Sequence, residues 1–406
     1  VKIAGIIAEY NPLHSGHAWQ IAATRSILGE ETAVVCVMSG HWVQGAGCAV
    51  ADKWLRARLA LMGGADLVLE LPALWAVSPA ETFARGGARL LAATGVVTHL
   101  SFGSECGDAA ALEQVAAALD SPLYAAELRR FLDQGLPFAA CRQAAVEQLA
   151  GKEMGELLAG PNNNLGVEYI RALRRMNSPI RPMTVLREGA GHGQRAESAA
   201  AAGEVWHTSA TDIRGMLLRG DWEGAAPFLV PGEAELLHGA DLPTEQSLAG
   251  FRRLVLARLR VMSPADWAQL PDSGAAEGLP DRLAKAGREA CSLEEFYTLA
   301  KTKRYSHARL RRLALWAFLG LKEKDRPAFP PYLRVLGANS RGREVLRAMN
   351  GRAVLPVLTK PAHVRELDQT SRQVFEAEAR CTDLYGFCLS APFPGGREWR
   401  EKPVIL

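Results

Sequence analysis

Short, β-branched apolar runs at 3–8, 33–38, 65–71 and 97–102 alternate with helical patterns such as 53–62 and 80–93. Few folds satisfy such an alternation. Parallel neighbours need a crossover between them, and crossovers cover both faces of the sheet with helices. A fifth strand is expected at 180–186, after a largely helical stretch at 109–150. From about 242 the pattern turns helical, at 247–261, 283–290, 293–301 and 306–320, and after Pro330-Pro331 it becomes strand-like again at 332–335 and 354–358. The expected fold class is α/β: a doubly wound parallel-sheet domain over 1–242, a helical region over 243–328 and a small mixed C-terminal part over 329–406.

The first run ends at Glu9-Tyr10-Asn11-Pro12, where Asn-Pro favours a turn and Pro12 offers no donor to a ladder. His14-Ser15-Gly16-His17 follows, and a helix is expected to begin at Ser15 or Gly16. A strand, a tight loop holding His14 and a helix carrying His17 in its first turn would set two imidazoles beside unpaired helix amides. That arrangement suits a polyphosphate, because helix N-termini bind anions and histidine can donate to oxygens gaining charge. Gly16 leaves room for a nucleotide to approach the backbone. A bare H-x-x-H also fits zinc ligation or a plain surface. The strand before it and the helix after it favour the nucleotide.

The 406 residues allow two or three domains, and 48% hydrophobic with 22% charged residues is ordinary globular composition. No apolar stretch reaches membrane-span length and no signal-type segment opens the chain, so a cytoplasmic, non-membrane protein is expected. The seven cysteines (36, 48, 106, 141, 291, 381 and 388) are scattered and never in C-x-x-C pairs, which speaks against a disulfide framework or a structural zinc. A net charge of +3 is too small to imply nucleic acid by itself, and nothing in the sequence speaks to oligomeric state.

Further candidates sit where other strands and helices should end. Gly103, in Phe102-Gly103-Ser104-Glu105, could let adenine or ribose pack on backbone, or could be an ordinary turn glycine. Asn162-Asn163-Asn164 precedes a helix expected at about Leu165; these residues could cap it, or an amide could read a nucleotide edge. Arg187, after the 180–186 run, could meet phosphate or remain solvated. Ser209, Thr211 and Arg214 open another helix, with Ser209 capping at Asp212 or the group binding phosphate, or both. The glycine-rich stretch 189–203 reads as a mobile loop, and its G-A-G-H-G lacks the order of a dinucleotide fingerprint. The strongest basic cluster is Lys301-Thr302-Lys303-Arg304-Tyr305 with Arg309, Arg311 and Arg312, and Glu323 is the only acid between Lys301 and Lys324. With Tyr305 and His307 able to stack, RNA explains this better than a solvated face.

In order along the chain, GIIAEYNPLHSGH (5–17), VMSGHWVQ (37–44), DKW (52–54), ADLVLELP (65–72), FARG (83–86), FGSE (102–105), PNNNLG (161–166), SATDIR (209–214), KTKRY (301–305) and PYLRVLG (331–337) resemble the bacterial tRNA(Met) cytidine acetate ligases. These belong to the H-x-G-H nucleotidyltransferase superfamily. The resemblance implies that the sheet domain is a nucleotidyltransferase domain. It implies an activity: ATP and acetate give acetyl-adenylate and pyrophosphate, and the acetyl group passes to N4 of the wobble cytidine of elongator tRNA(Met). It places the ATP site on Ile7, Ala8, Glu9, Tyr10, Asn11, Pro12, Leu13, His14, Ser15, Gly16 and His17, with Gly103, Asn162 and Arg187 at the later positions. His14 and His17 would be catalytic, donating to the phosphates with help from Arg187, Arg214 and Mg2+; no metal site of the chain's own is expected. Lys301, Lys303, Arg304, Arg309 and Arg312 would meet tRNA phosphates. One loop departs: where the family reads Q-R-G-E-P, this chain has Gln44-Gly45-Ala46-Gly47-Cys48. A small-metabolite adenylyltransferase, or a non-enzymatic RNA-binding protein on a decayed fold, are the alternatives.

Overall fold

The computed structural model describes residues 2–187 and 208–406; the glycine-rich stretch expected to be a loop at 189–203 lies outside the described residues. Eight strands form one sheet: β1 (Ile3–Ala8), β2 (Ala33–Ser39), β3 (Leu67–Leu71), β4 (His99–Ser104), β5 (Arg181–Leu186), β6 (Leu333–Ala338), β7 (Val357–Leu358) and β8 (Val404–Ile405). Their order is β5-β4-β1-β2-β3-β6-β7, with β8 also on β6. The first five are mutually parallel. β6 runs antiparallel to β3, Leu67 opposite Ala338, so residues from the C-terminal part complete the sheet of the N-terminal part.

Both faces are covered, and alternation along the strands shows it. Ile3 and Ile7 of β1, with Val35 and Val37 of β2, join the core beneath the Ala80–Ala93 and Pro161–Arg175 helices. Ile6, Val34, Cys36 and Met38 face the other way, into the core shared with helices α1 (Ser15–Leu28) and α2 (Lys53–Met62). The Ala80–Ala93 helix lies close on β1 because Gly87 carries no Cβ; one there would come within 2.7 Å of Ile7.

Strand order reverses at β1. The chain adds β2 and β3 on one side, then returns to add β4 and β5 on the other. In open α/β sheets the crevice beyond the carboxyl ends at such a switch point is where ligands bind. Here that crevice lies beyond β1 and β4.

Candidate active site

β1 delivers Glu9 and Tyr10 into the turn before α1. Tyr10 takes φ +44°, an uncommon conformation for a side-chain-bearing residue, and the turn is clamped on several sides. The Tyr10 hydroxyl contacts Cys36 Sγ at 3.2 Å, Val50 N–H donates to Asn11 Oδ1 at 2.7 Å, and Arg214 Nη1 donates to the Asn11 carbonyl at 2.7 Å. The buried Arg56 guanidinium reaches the carbonyls of Tyr10, Ser39 and Gly40. So many bonds hold the strained residue in place.

α1 begins at Ser15, with His14 as its N-cap: Gly16 N–H donates to His14 Nδ1 at 3.1 Å. Nδ1 is thus the acceptor, and the ring proton sits on Nε2. His17 lies one turn on, its ring 3.8 Å from that of His14 and edge-on to Tyr10 at 5.0 Å. Burial, then the neighbouring His14 and Arg187, hold His17 well below the usual imidazole range, so it is neutral. Its buried Nδ1 has no hydrogen-bond partner among the described residues.

Around His17 opens a cavity of about 240 Å³, walled by Ile7, Ala8, Glu9, Tyr10, Asn11, Gln20, Gln44, Phe83, Phe102, Gly103, Asn162, Leu165, Tyr169, Arg187, Ala210 and Arg214. A narrower recess joins it through His17, Gln20, Gly103 and Arg187, and adds His14, Gly16, Trp19, Val185 and Thr208. Residues from β1, α1, β4, β5, the Pro161–Arg175 helix and the Ala210–Leu218 helix thus converge on one site. Pro12, Leu13, Ser15, Ser209 and Thr211 do not line it; Leu13 is fully buried in the core.

The asparagine run differs from expectation. The helix starts at Pro161, four residues earlier, so Asn162–Asn164 occupy its first turn and Gly160 is the N-cap. The capping oxygens come from another element: Glu105 accepts from Asn162 N–H at 3.0 Å and Asn163 N–H at 2.7 Å. Burial would raise the Glu105 carboxyl, but these bonds and that of the Asn162 side chain outweigh it and hold it low. Asn162 Oδ1 accepts from Arg187 Nη1 at 2.9 Å, which fixes the arginine across the mouth. Asn163 instead ties down Glu105 N–H and Cys106 N–H. Ser209 does cap the Ala210–Leu218 helix, accepting from Asp212 N–H at 3.1 Å, and Arg214 bonds Thr211 Oγ1 at 2.9 Å.

The HIGH nucleotidyl transferase family model matches residues 1–394. The tRNA(Met) cytidine acetate ligase of Caldanaerobacter subterraneus subsp. tengcongensis is 35% identical over 95% of both chains. That of Acetivibrio thermocellus is 31% identical over the whole of both. The crystal structure of Thermotoga maritima TmcAL bound with alpha-thio ATP superposes with a TM-score of 0.89, at 30% identity and full coverage of both chains. The chain belongs to the tRNA(Met) cytidine acetate ligase family.

The loop in which this member departs from the family pattern is a tight hairpin. Ala46 N–H donates to the Val43 carbonyl at 2.9 Å and Val43 N–H to the Gly47 carbonyl at 3.1 Å. Ala46 sits at φ +62°, where an L side chain is strained. Gln44, retained, is the loop residue that reaches the cavity: its N–H donates to Glu9 Oε1 at 2.6 Å and its amide to the Ser78 carbonyl at 3.3 Å.

The family motifs S-G-H-W and D-K-W are buried away from the cavity, against the Gln369–Tyr385 helix. Trp42 Nε1 donates to the Cys381 carbonyl at 2.9 Å, the Tyr385 hydroxyl donates to the Ala49 carbonyl at 3.1 Å, and His41 Nδ1 contacts Thr382 Oγ1 at 3.2 Å. Lys53 is fully buried, 2.5 Å from Glu70 and 2.6 Å from Glu398, with Glu378 at 3.8 Å. Burial alone would lower the Lys53 pKa; the three carboxylates raise it.

In the family's basic cluster Lys303 and Arg304 are exposed. Arg311 is exposed as well, whereas Arg309 and Arg312 meet acids that sequence distance conceals. Arg309 lies 3.3 Å from Asp272 and 3.5 Å from Glu277, Arg312 lies 3.7 Å from Asp272, and Lys301 Nζ donates to the Thr302 carbonyl at 2.6 Å. Tyr305 is buried, its hydroxyl donating to the Glu277 carbonyl at 3.2 Å, so it packs the region together and is closed to a stacking base. No helix among the described residues is long and apolar enough to cross a membrane.

Proposed function

We propose that this chain is an ATP-dependent ligase working in the cytoplasm. It joins acetate to AMP as acetyl-adenylate and passes the acetyl group to N4 of the wobble cytidine of elongator tRNA(Met). The observation that carries the reading is full-length similarity, at TM-score 0.89, to a protein crystallised with an ATP analogue, while the corresponding switch point here opens a cavity around His17.

Acetate is a poor acyl donor. Attack of its carboxylate oxygen on the α-phosphorus expels pyrophosphate and gives the acetyl group an adenylate leaving group. Such displacements ask mainly for positioning and charge stabilisation. His14 and His17 are the catalytic donors to the phosphates, with the first amides of α1 behind them. Residues 7–13, Ser15 and Gly16 form the rest of the ATP-binding turn; Gly103 and Asn162 take the adenosine half, and Arg187 crosses the mouth. Ser209, Thr211 and Arg214 are a second phosphate element at the head of their helix. Mg2+ would come with the triphosphate and neutralise its charge; among the described residues no group of three or more His, Cys, Asp or Glu is placed to hold a metal.

Residues 1–242 would perform the adenylation, 243–328 would face tRNA through Lys301, Lys303, Arg304, Arg309 and Arg312, and 329–406 would close the sheet. Of the five, Lys303 and Arg304 are the exposed pair. Two measurements test the reading. Purified protein should release pyrophosphate from ATP when given acetate, and acetylate tRNA(Met) without acetyl-CoA. Replacing both Lys303 and Arg304 with Ala should weaken tRNA binding and flatten its salt dependence by about two units, one per lost phosphate contact. Pyrophosphate release that ignores acetate would favour a metabolite adenylyltransferase. An unchanged salt slope would make the cluster a solvated face.

A further inference from the structure

A carboxylate is out of place in a cavity built for phosphates. Among the described residues Glu9 is the only Asp or Glu on the cavity wall, and its sole hydrogen bond is the one that Gln44 N–H donates to Oε1 at 2.6 Å. Oε2 has no hydrogen-bond partner among the described residues. A negative charge there repels a triphosphate, so the site must hold Glu9 for something that donates.

An ionised carboxylate only accepts hydrogen bonds. The exocyclic amine of cytosine donates two at the edge where uracil presents an acceptor, and Glu or Asp is the side chain that pairs with it. We infer that Glu9 Oε2 accepts the exocyclic amine of the acceptor cytidine and takes its proton during acetyl transfer, which rests on the ligase reading above. The N4 lone pair attacks the acetyl carbonyl carbon, and a C–N bond forms. The C–O bond to AMP breaks, and AMP leaves with that electron pair. The amine gives one proton to Oε2, and Glu9 later releases it to solvent. The products are N4-acetylcytidine, AMP and a proton.

The surroundings favour Glu9 as the base over the other titratable groups on the wall, among them Tyr10, His17 and Tyr169. Burial pushes the Glu9 carboxyl up, against the lowering effect of the Gln44 amide and then of Arg214 and Arg56, so it is a stronger base than an ordinary carboxylate. Tyr169 faces it from the Pro161–Arg175 helix and, with its own pKa raised, stays protonated. His17 is pushed the opposite way and becomes a poorer base. A base matched to its working pH contributes more.

The test bypasses adenylation by supplying synthetic acetyl-adenylate with tRNA(Met) and following a single turnover. Glu9→Gln keeps an oxygen for Gln44 N–H; it should slow transfer about 100-fold, while Glu9→Asp stays within roughly tenfold of the parent. The parent rate should rise with pH through the Glu9 titration and then level off, and Glu9→Gln should lose that rise. A Glu9→Gln rate within about threefold of the parent at every pH overturns the inference. So does a variant that raises the KM for ATP while transferring normally, since Glu9 would then serve the adenine amine. Should Glu9→Gln fail to fold, the parent alone decides. Uridine in place of the acceptor cytidine should weaken tRNA binding about tenfold, and equal affinity overturns the inference. If the parent releases no pyrophosphate with acetate, the ligase reading fails independently of Glu9.

Discussion

Two carboxylate sites sit on neighbouring parts of this sheet with opposite fates. Glu70, on β3, is sealed with Glu378 and Glu398 around Lys53. Glu9, just beyond β1, has a single hydrogen bond and an open cavity in front of it. The chain supplies the cations in the first case, whereas in the second the proposed partner would arrive from outside. What separates a structural carboxylate from one with a job on a ligand is the closure around it.

Breaking the closed site should give the largest effect on stability. Lys53→Met leaves Glu70 and Glu378 without their cation, and Glu398 with Arg334 alone at 3.7 Å, and should cost about 3–5 kcal/mol in urea unfolding at neutral pH. Adding Glu70→Gln should recover part of that loss, because the carboxylate left without a cation goes with it. A cost below about 1 kcal/mol would mean that the cluster carries no net charge coupling. At the open site the effect should fall on rate. His17→Ala should lower acetate-dependent pyrophosphate release by at least about 100-fold, the scale of one lost transition-state donor, with thermal unfolding unchanged. Near-parental release would remove His17 from the chemistry. The smallest change sharpens the border between the two sites. Ala46→Gly, relieving the left-handed residue in the hairpin that presents Gln44 to Glu9, should raise stability by roughly 1 kcal/mol; a loss would show that Ala46 is not strained.

What was readable in the sequence was local. The runs at 3–8, 53–62 and 80–93 coincide with β1, α2 and the Ala80–Ala93 helix, because burial on both faces of a parallel sheet and a helical repeat leave their mark within a dozen residues. The H-x-G-H turn was legible for the same reason: strand, breaker and helix follow in order. Gln44, Phe83 and Tyr169 were missed as cavity residues, and periodicity could only mark the last two as core. The Asn162 turn was misjudged because its cap, Glu105, comes from the end of another strand. The basic cluster read as unopposed because its acids, Asp272 and Glu277, come from an earlier segment. The D-K-W motif gave no hint of its purpose, since two of the three carboxylates around Lys53, Glu378 and Glu398, lie far along the chain.

The pairing of β3 with β6 has a consequence for how the protein is made. Leu67 meets Ala338, so β3 waits for most of the chain before its outer edge is covered. At synthesis rates of roughly 5–20 residues per second that interval lasts tens of seconds. Throughout it an apolar edge stands open, a template on which another chain can pair. A nascent chain halted at about residue 300 already contains every residue lining the cavity around His17. It still lacks the strand that pairs with β3, so its open edge would favour self-association.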